Sequence, residues 1–368
     1  MSADGVLELV GRAEEGGRFL GRWLAESPPS PVVGEVVFNT AMTGYQEICT
    51  DPSYAGQIVV LTYPLVGSYG AAAAWTESRA PALKALVVHR AERASHGGAM
   101  TELSDYLSRR GIPVLTGVDT RALTRRLRDC GTLLGVLHPA SEPLEAAAVQ
   151  EAIRGFSLRG IVDTVTTPEA YVVDGDGPTI AVVDYGLKTG IVTELQRRGF
   201  RIVVLPATAT AADLDAAAPE GVVLSNGPGD PADLLDRLPL VRHAVAQHPT
   251  LGICLGHQVV ALAAGGRTYP LKFGHHGSNH PVQDVKTGRI DITSHNHGYA
   301  VDAASLPDGY RVRFTNLNDH TVEGLEHEHL PVLTVQHHPE AGPGPHDASH
   351  IFDEFAQRVH ERGAAPNA

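Results

Sequence analysis

The sequence predicts an α/β protein built of two domains, on three observations. At 368 residues the chain exceeds one ordinary hydrophobic core and suits two domains of roughly 150 to 200 residues. From Thr179 onward, the short apolar runs Ile180-Ala-Val-Val, Arg201-Ile-Val-Val-Leu, Gly221-Val-Val-Leu and Thr250-Leu-Gly-Ile-Cys alternate with helical stretches such as 189–198. Buried strands alternating with helices make a mainly parallel sheet flanked by helices on both faces. Between the halves, Asp163-Thr-Val-Thr-Thr-Pro-Glu through Asp174-Gly-Asp-Gly-Pro loses periodicity and collects acids, Gly and Pro, which marks a solvent-exposed connection.

Taken in order, residues 1–162 are expected to form an N-terminal domain of α/β or α+β type. Its β-rich runs, such as Gly34-Glu-Val-Val-Phe and Gln57-Ile-Val-Val-Leu-Thr, mix with helical stretches near 101–110 and 119–129. Residues 163–178 are the expected linker and 179–368 the C-terminal domain. After Gly266 the spacing shifts to strands separated by turns, and a last helix is predicted near 347–362. Ligands of an open parallel sheet sit beyond the carboxyl ends of its strands, so the loops after Leu224 and Ile253 are the expected seat of chemistry.

Composition narrows the function. Apolar residues make up 43% and charged residues 19%, enough to bury real cores and too apolar for long disorder. A formal charge of −13 would repel nucleic acid and anionic membrane, leaving small ligands and proteins as partners. Three widely spaced cysteines, Cys49, Cys130 and Cys254, fit neither a disulfide framework nor a Cys-based zinc site and imply a reducing, cytoplasmic compartment. The N-terminus carries acids early and lacks the basic flank and apolar run of a signal peptide. No apolar stretch approaches the roughly 20 residues that span a bilayer.

Gly252-Ile-Cys254-Leu-Gly256-His-Gln258 sets a cysteine between two glycines at a strand-to-helix junction. A tight turn there lifts the side chain out of the sheet, and the helix N-terminus favours the thiolate, the form that attacks carbonyls. Such a nucleophile needs a base and a group that orients the base. Val335-Gln-His337-His338-Pro339-Glu340 supplies both after another apolar run, with His338 as base and Glu340 as its orienter. Side chains alternate along an extended segment, so only one of His337 and His338 points into a given site; the spacing to Glu340 selects His338. Attack on an amide builds charge on oxygen, and Ser225-Asn-Gly227-Pro228-Gly229-Asp together with the Leu255 amide can present N–H donors to it.

These motifs resemble the class I, or triad, glutamine amidotransferases. Ser225-Asn-Gly-Pro-Gly-Asp-Pro-Ala, Lys272-Phe-Gly-His-His-Gly-Ser-Asn-His-Pro-Val and Asn296-His-Gly-Tyr-Ala-Val-Asp resemble one branch, the small subunit of carbamoyl phosphate synthetase. Phe38-Asn-Thr-Ala-Met-Thr-Gly-Tyr-Gln-Glu, Asp51-Pro-Ser-Tyr-Ala-Gly-Gln, Leu61-Thr-Tyr-Pro and Gly117-Val-Asp-Thr-Arg-Ala-Leu-Thr are similar to that subunit's own N-terminal domain. The resemblance implies a γ-glutamyl thioester on Cys254, a proton shuttle at His338 and support from Glu340. It implies an L-glutamine site of Ser53, Gly227, Gly229, Leu255, Gln258, Asn296, Gly298 and Tyr299. It also implies a large subunit that binds bicarbonate and ATP with its metal ions, and makes carbamoyl phosphate for arginine and pyrimidine biosynthesis from ammonia passed to it. No cofactor is expected in this chain, which has no phosphate-binding Gly-rich loop, and its end at Ala368 implies a separate partner. His337, Tyr299 and the Thr-Gly after Lys188 depart from the family's usual residues.

Three other readings stand beside this one: a different triad amidotransferase, a non-catalytic scaffold, and a metal protein using His295 with His297, His327 with His329, or the pairs His275-His276 and His337-His338. The N-terminal motifs weigh against the first and the complete Cys-His-Glu set against the second. Family motifs or loop solvation explain the histidines better than a zinc shell, so no metal ligand is expected.

Overall fold

A computed structural model describes residues 4–11, 16–95 and 101–364. The chain divides into two compact units, one of residues 1–158 with 272–277, the other of 159–271 with 278–368.

In the first unit, β1 (Asp4–Val10), β2 (Gly17–Trp23), β3 (Val32–Asn39), β4 (Gln57–Leu61), β6 (Ala85–Val87), β8 (Val114–Thr116) and β9 (Leu133–Pro139) close a barrel. Its order is β1-β2-β8-β6-β4-β3-β9, with β9 returning antiparallel to β1. Strands β3, β4, β6 and β8 run parallel and the others pair antiparallel. The alternation of side chains explains why these strands read as continuous apolar runs. Val36, Phe38, Ile58 and Val60 enter one core cluster, while Val37, Val59 and Leu61 enter another. Helices α1 (Tyr45–Thr50) and α2 (Leu103–Ser108) pack into the second cluster through Ile48, Cys49, Leu103 and Leu107, and α3 (Thr120–Cys130) packs into the first through Leu123 and Leu127. A two-stranded ribbon of β5 (Leu65–Val66) and β7 (Arg90–Ala91) and helix α4 (Ala146–Arg154) complete the unit. The segment 272–277 belongs here: Thr132 N donates to Lys272 O at 3.0 Å, Thr40 N to His276 O at 3.1 Å, and Phe273 meets Phe38 at 5.8 Å between ring centres.

The second unit holds the predicted sheet. Strands β11 (Thr179–Asp184), β12 (Arg201–Pro206), β13 (Gly221–Leu224), β14 (Thr250–Ile253) and β19 (Val332–Val335) are parallel, in the order β12-β11-β13-β14-β19. Beyond β19 the sheet continues through β18 (Val322–His327), β17 (Tyr310–Asn316), β15 (Thr268–Asp284) and β16 (Ile290–Val301), with β19, β18, β17 and β15 paired antiparallel in turn. Ala181, Val183 and Leu224 join α7 (Leu238–Gln247) and α8 (Leu255–Ala264) on one face. Ile180, Val182 and Val223 join α5 (Thr189–Arg197) and α9 (His350–Ala364) on the other. A short helix, α6 (Ala211–Ala216), opens with a capping box between Thr210 and Asp213. Residues 163–178, read from composition as a connection, lie in this unit, where β10 (Tyr171–Val173) adds an antiparallel edge strand to β12. Among the described residues no helix is long and apolar enough to cross a membrane.

Candidate active site

Strands β14 and β19 are parallel neighbours, with Gly252 opposite Thr334 and Ile253 opposite Val335. Their carboxyl ends therefore deliver Cys254 and the segment Gln336–Glu340 to one place. Cys254 caps α8 with φ 53° and ψ −104°, a left-handed backbone that a residue with a Cβ adopts only under constraint. The constraint is visible on both sides. A Cβ on Gly256 would lie 2.0 Å from Leu224 O, and one on Gly252 would lie 2.8 Å from Gly256 O. Only glycine lets helix and strand approach this closely. Backbone bonds from Cys254 N to Val335 O (2.8 Å) and from Gly256 N to Ser225 O (3.0 Å) lock the turn. The thiol of Cys254 is 1% exposed and points to Asn296 O at 3.6 Å.

His338 is held from both ends. Its backbone N donates to Ser294 O at 2.9 Å and its Nδ1 lies 2.7 Å from Glu340 Oε1. Among the described residues its buried Nε2 makes no hydrogen bond. Burial alone would lower the pKa of this imidazole, but the charges of Glu340 and Cys254 outweigh it and hold it up, at about 10. The imidazolium is thus the favoured form, which suits the companion of a thiolate. Burial works to raise the pKa of Glu340, but the Lys188 ammonium and His338 override it and hold the carboxyl down at about 2. Lys188 Nζ is 3.0 Å from Glu340 Oε1 and donates to Ala341 O at 2.5 Å, from a side chain that is itself buried.

His337 faces the other way. Its ring stands edge-on to Phe314, with centres 6.0 Å apart, and its Nδ1 is 4.0 Å from Glu323 Oε2. Burial is the main force pushing its pKa down to about 3, so it is a neutral core histidine and does not compete for the base role. This is the alternation expected along an extended strand end.

Of the residues expected to hold glutamine, Gly227, Gly229, Leu255, Gln258, Asn296, Gly298 and Tyr299 all lie in the second unit. Gly227 and Gly229 form the turn after β13, where a Cβ on Gly227 would strike Tyr185 O at 2.3 Å and Gly229 has φ 89°. The Leu255 N–H opens α8 and has no place in the helix ladder. Gln258 Nε2 donates to Tyr299 O at 2.8 Å, and Gly298 beside it is exposed, with nothing within 4 Å of where a Cβ would stand. Ser53 lies in the first unit, in the turn Pro52–Tyr54, where its N–H donates to Asp51 Oδ1 at 2.8 Å.

Sequence reasoning looked beyond Leu224 and Ile253 and missed the loop after β11. That loop brings in Lys188, whose N–H donates to Asn226 Oδ1 at 3.2 Å, while Tyr185 N donates to Ser225 Oγ at 2.9 Å. The position of Asp184-Tyr-Gly-Leu-Lys188 at the end of a parallel strand was the available signal. The sequence also gave Gln336 no role, although its Nε2 comes within 3.7 Å of Cys254 Sγ. Among the histidine clusters, His295 and His297 are buried on β16 with Nδ1 and Nε2 3.2 Å apart. Thr293 Oγ1 donates to His280 O at 2.9 Å and lies 2.7 Å from His295 Nε2, His295 Nδ1 is 3.7 Å from Glu323 Oε1, and His297 Nδ1 donates to Tyr299 O at 2.8 Å. His327 Nδ1 accepts from the N–H groups of His329 and Leu330 and closes a turn.

The family model for class-I glutamine amidotransferases matches residues 181–358, and that for the CPSase domain of carbamoyl-phosphate synthase small chains matches residues 12–137. A carbamoyl phosphate synthase small chain from Symbiobacterium thermophilum is 52% identical, over 90% of this chain and 93% of its own. The chain belongs to the carbamoyl phosphate synthase small-chain family. A small chain from Listeria monocytogenes is 46% identical over 94% of this chain and 95% of its own. The Bacillus subtilis pyrimidine-specific small chain is 46% identical over 89% of this chain and 90% of its own. Membership in the small-chain family makes the chain the glutamine-hydrolysing type of subunit. It accounts for both halves of the sequence, since the match at 12–137 lies outside the amidotransferase domain.

Proposed function

We propose that the chain hydrolyses glutamine through Cys254, His338 and Glu340 and passes the ammonia to a large synthetase subunit. That subunit uses it with bicarbonate and ATP to make carbamoyl phosphate. One observation carries the reading: a strained, helix-capping cysteine and a histidine held by a buried carboxylate lie at the carboxyl ends of two adjacent parallel strands, β14 and β19. In the first half-reaction the sulfur lone pair adds to the side-chain carbonyl carbon of glutamine. The charge on oxygen is met by N–H groups of Leu255 and the Gly227–Gly229 turn. The C–N bond then breaks, the proton on His338 goes to the departing nitrogen, and ammonia leaves behind a thioester. Water next adds to the thioester, surrendering a proton to His338, and the C–S bond breaks to release glutamate and restore the thiolate. Gln258, Asn296, Gly298, Tyr299 and Ser53 hold the amino-acid end of the substrate. ATP and its metal ions belong to the large subunit, and the product serves arginine and pyrimidine synthesis.

The test is glutamate release by the purified chain, alone and with a large subunit, bicarbonate and ATP. Release should be slow alone, accelerate with the partner, and vanish in Cys254→Ser. Glutamate release that survives in Cys254→Ser would overturn the chemistry, and a partner without effect would overturn the coupling. His338→Asn should cost about 10² to 10⁴-fold, the usual worth of a positioned acid–base group.

A further inference from the structure

Gln336 follows β19 directly and is fully buried, with its backbone N–H donating to Glu323 O at 2.7 Å. Its side chain bridges two residues of the site: Gln258 Nε2 donates to Gln336 Oε1 at 2.9 Å, and Gln336 Nε2 reaches Cys254 Sγ at 3.7 Å. Which end of this amide meets the sulfur follows from its neighbours. The Tyr299 carbonyl, 2.8 Å from Gln258, can only accept, so the Gln258 group beside it is the NH₂. The same NH₂ faces Gln336, so it meets the oxygen of that amide. The end left facing Cys254 is the nitrogen, which can only donate.

We propose that Gln336 is a catalytic hydrogen-bond donor to the sulfur of Cys254, favouring the thiolate, and that Gln258 is the positioning residue that sets its orientation. The sulfur also lies 3.6 Å from Asn296 O, which accepts from the thiol and loses that bond when the proton leaves. Ionisation therefore discards one contact and strengthens the other, because a donor binds an anion more strongly than a neutral atom. Strand alternation puts Gln336 on the same side as His338, so the anion has a fixed neutral donor besides the imidazolium, whose proton leaves with the ammonia. After that transfer Gln336 is the donor that remains on the sulfur.

The proposal rests on Cys254 being the nucleophile, and its test requires neither glutamine nor a partner. Alkylation of Cys254 by iodoacetamide, resolved by peptide mass, is followed against pH in the full chain, in Gln336→Met and in Gln336→Glu. Met keeps the length and removes the donor. Glu keeps the shape and the bond from Gln258 but, ionised, donates nothing. On the acid side of the profile the rate should fall about 3- to 10-fold in Gln336→Met and further in Gln336→Glu, with the alkaline plateau within about twofold of the parent. A purely structural role would lower the folded fraction or the plateau and leave the midpoint in place. If Gln336→Met does not fold, as judged by thermal unfolding, Gln336→Glu carries the comparison. An unchanged midpoint in a folded variant overturns the role of Gln336. Glutamate release that survives in Cys254→Ser, the separate test of the proposed function, overturns the nucleophile itself.

Discussion

At the scale of residues, the site is a buried line of charge running from Lys188 through Glu340 to His338. Removing one member leaves the others uncompensated in a dry setting, which costs more than the pair contributes. Lys188→Met should therefore destabilise the second unit by about 3–5 kcal/mol. It should also let the Glu340 pKa rise toward the value burial alone demands, so the acid limb of kcat/KM for glutamine should move to higher pH. A pH–rate profile with the acid limb unmoved would show that Glu340 does not depend on Lys188. The placement of Cys254 at a strand-to-helix turn and of His338 beside Glu340 was legible because each is set by local rules, glycine spacing in one case and strand alternation in the other. Lys188 and Gln336 were not, since their importance comes from meeting residues far along the chain, and a lysine or glutamine at a strand end carries no local signal of its own.

At the scale of elements, the elbow works because β13, β14 and α8 are packed closer than side chains allow. Gly256→Ala would drive a Cβ to 2.0 Å from Leu224 O, against backbone that cannot step aside. The variant should lose about 3 kcal/mol or more and the glutaminase activity together. Activity without destabilisation would mean that α8 can shift. Cys254→Gly has the opposite expectation for stability: relieving a left-handed backbone should raise the melting temperature, by roughly 1 kcal/mol of strain released, while abolishing hydrolysis. The parallel strands and their helices were legible from apolar runs of the right length, and α3 and α5 were placed within a residue or two. The barrel of the first unit was not, because β1 closes on β9 and β3 runs parallel to β4, pairings between distant segments that no local pattern announces. The acidic, Gly- and Pro-rich stretch around Tyr171 read as a connection, since a three-residue edge strand is too short to show a period.

At the scale of the molecule, several buried groups make stability depend on pH in one sense. His257 and His337 are both pushed down to about 3, chiefly by burial, from an ordinary 6.5. A histidine depressed on folding stabilises fully above 6.5, and that contribution is lost as the pH falls toward 3. Glu340, depressed from 4.5 to about 2, loses its contribution in that lower window. His338 has the opposite sign: raised from 6.5 to about 10, it contributes fully below 6.5 and less as the pH climbs. Each fully shifted group changes stability by up to about 1.4 kcal/mol per pH unit within its window. Thermal unfolding should show the midpoint falling on acidification from about pH 6.5, and His337→Leu should flatten that fall. A slope unchanged in His337→Leu would show that this histidine is not held neutral.

The segment 272–277 completes the first unit from a strand that lies far downstream in the sequence. On a ribosome, the backbone groups of Thr40 and Thr132 that bond to His276 and Lys272 have no partner until that strand emerges. At about 5–20 residues per second, the delay is on the order of ten seconds. A nascent first unit left without this segment for so long is a natural client for chaperones. Residues 1–158 produced alone should be less soluble than the whole chain, and adding 272–277 through a short linker should restore them.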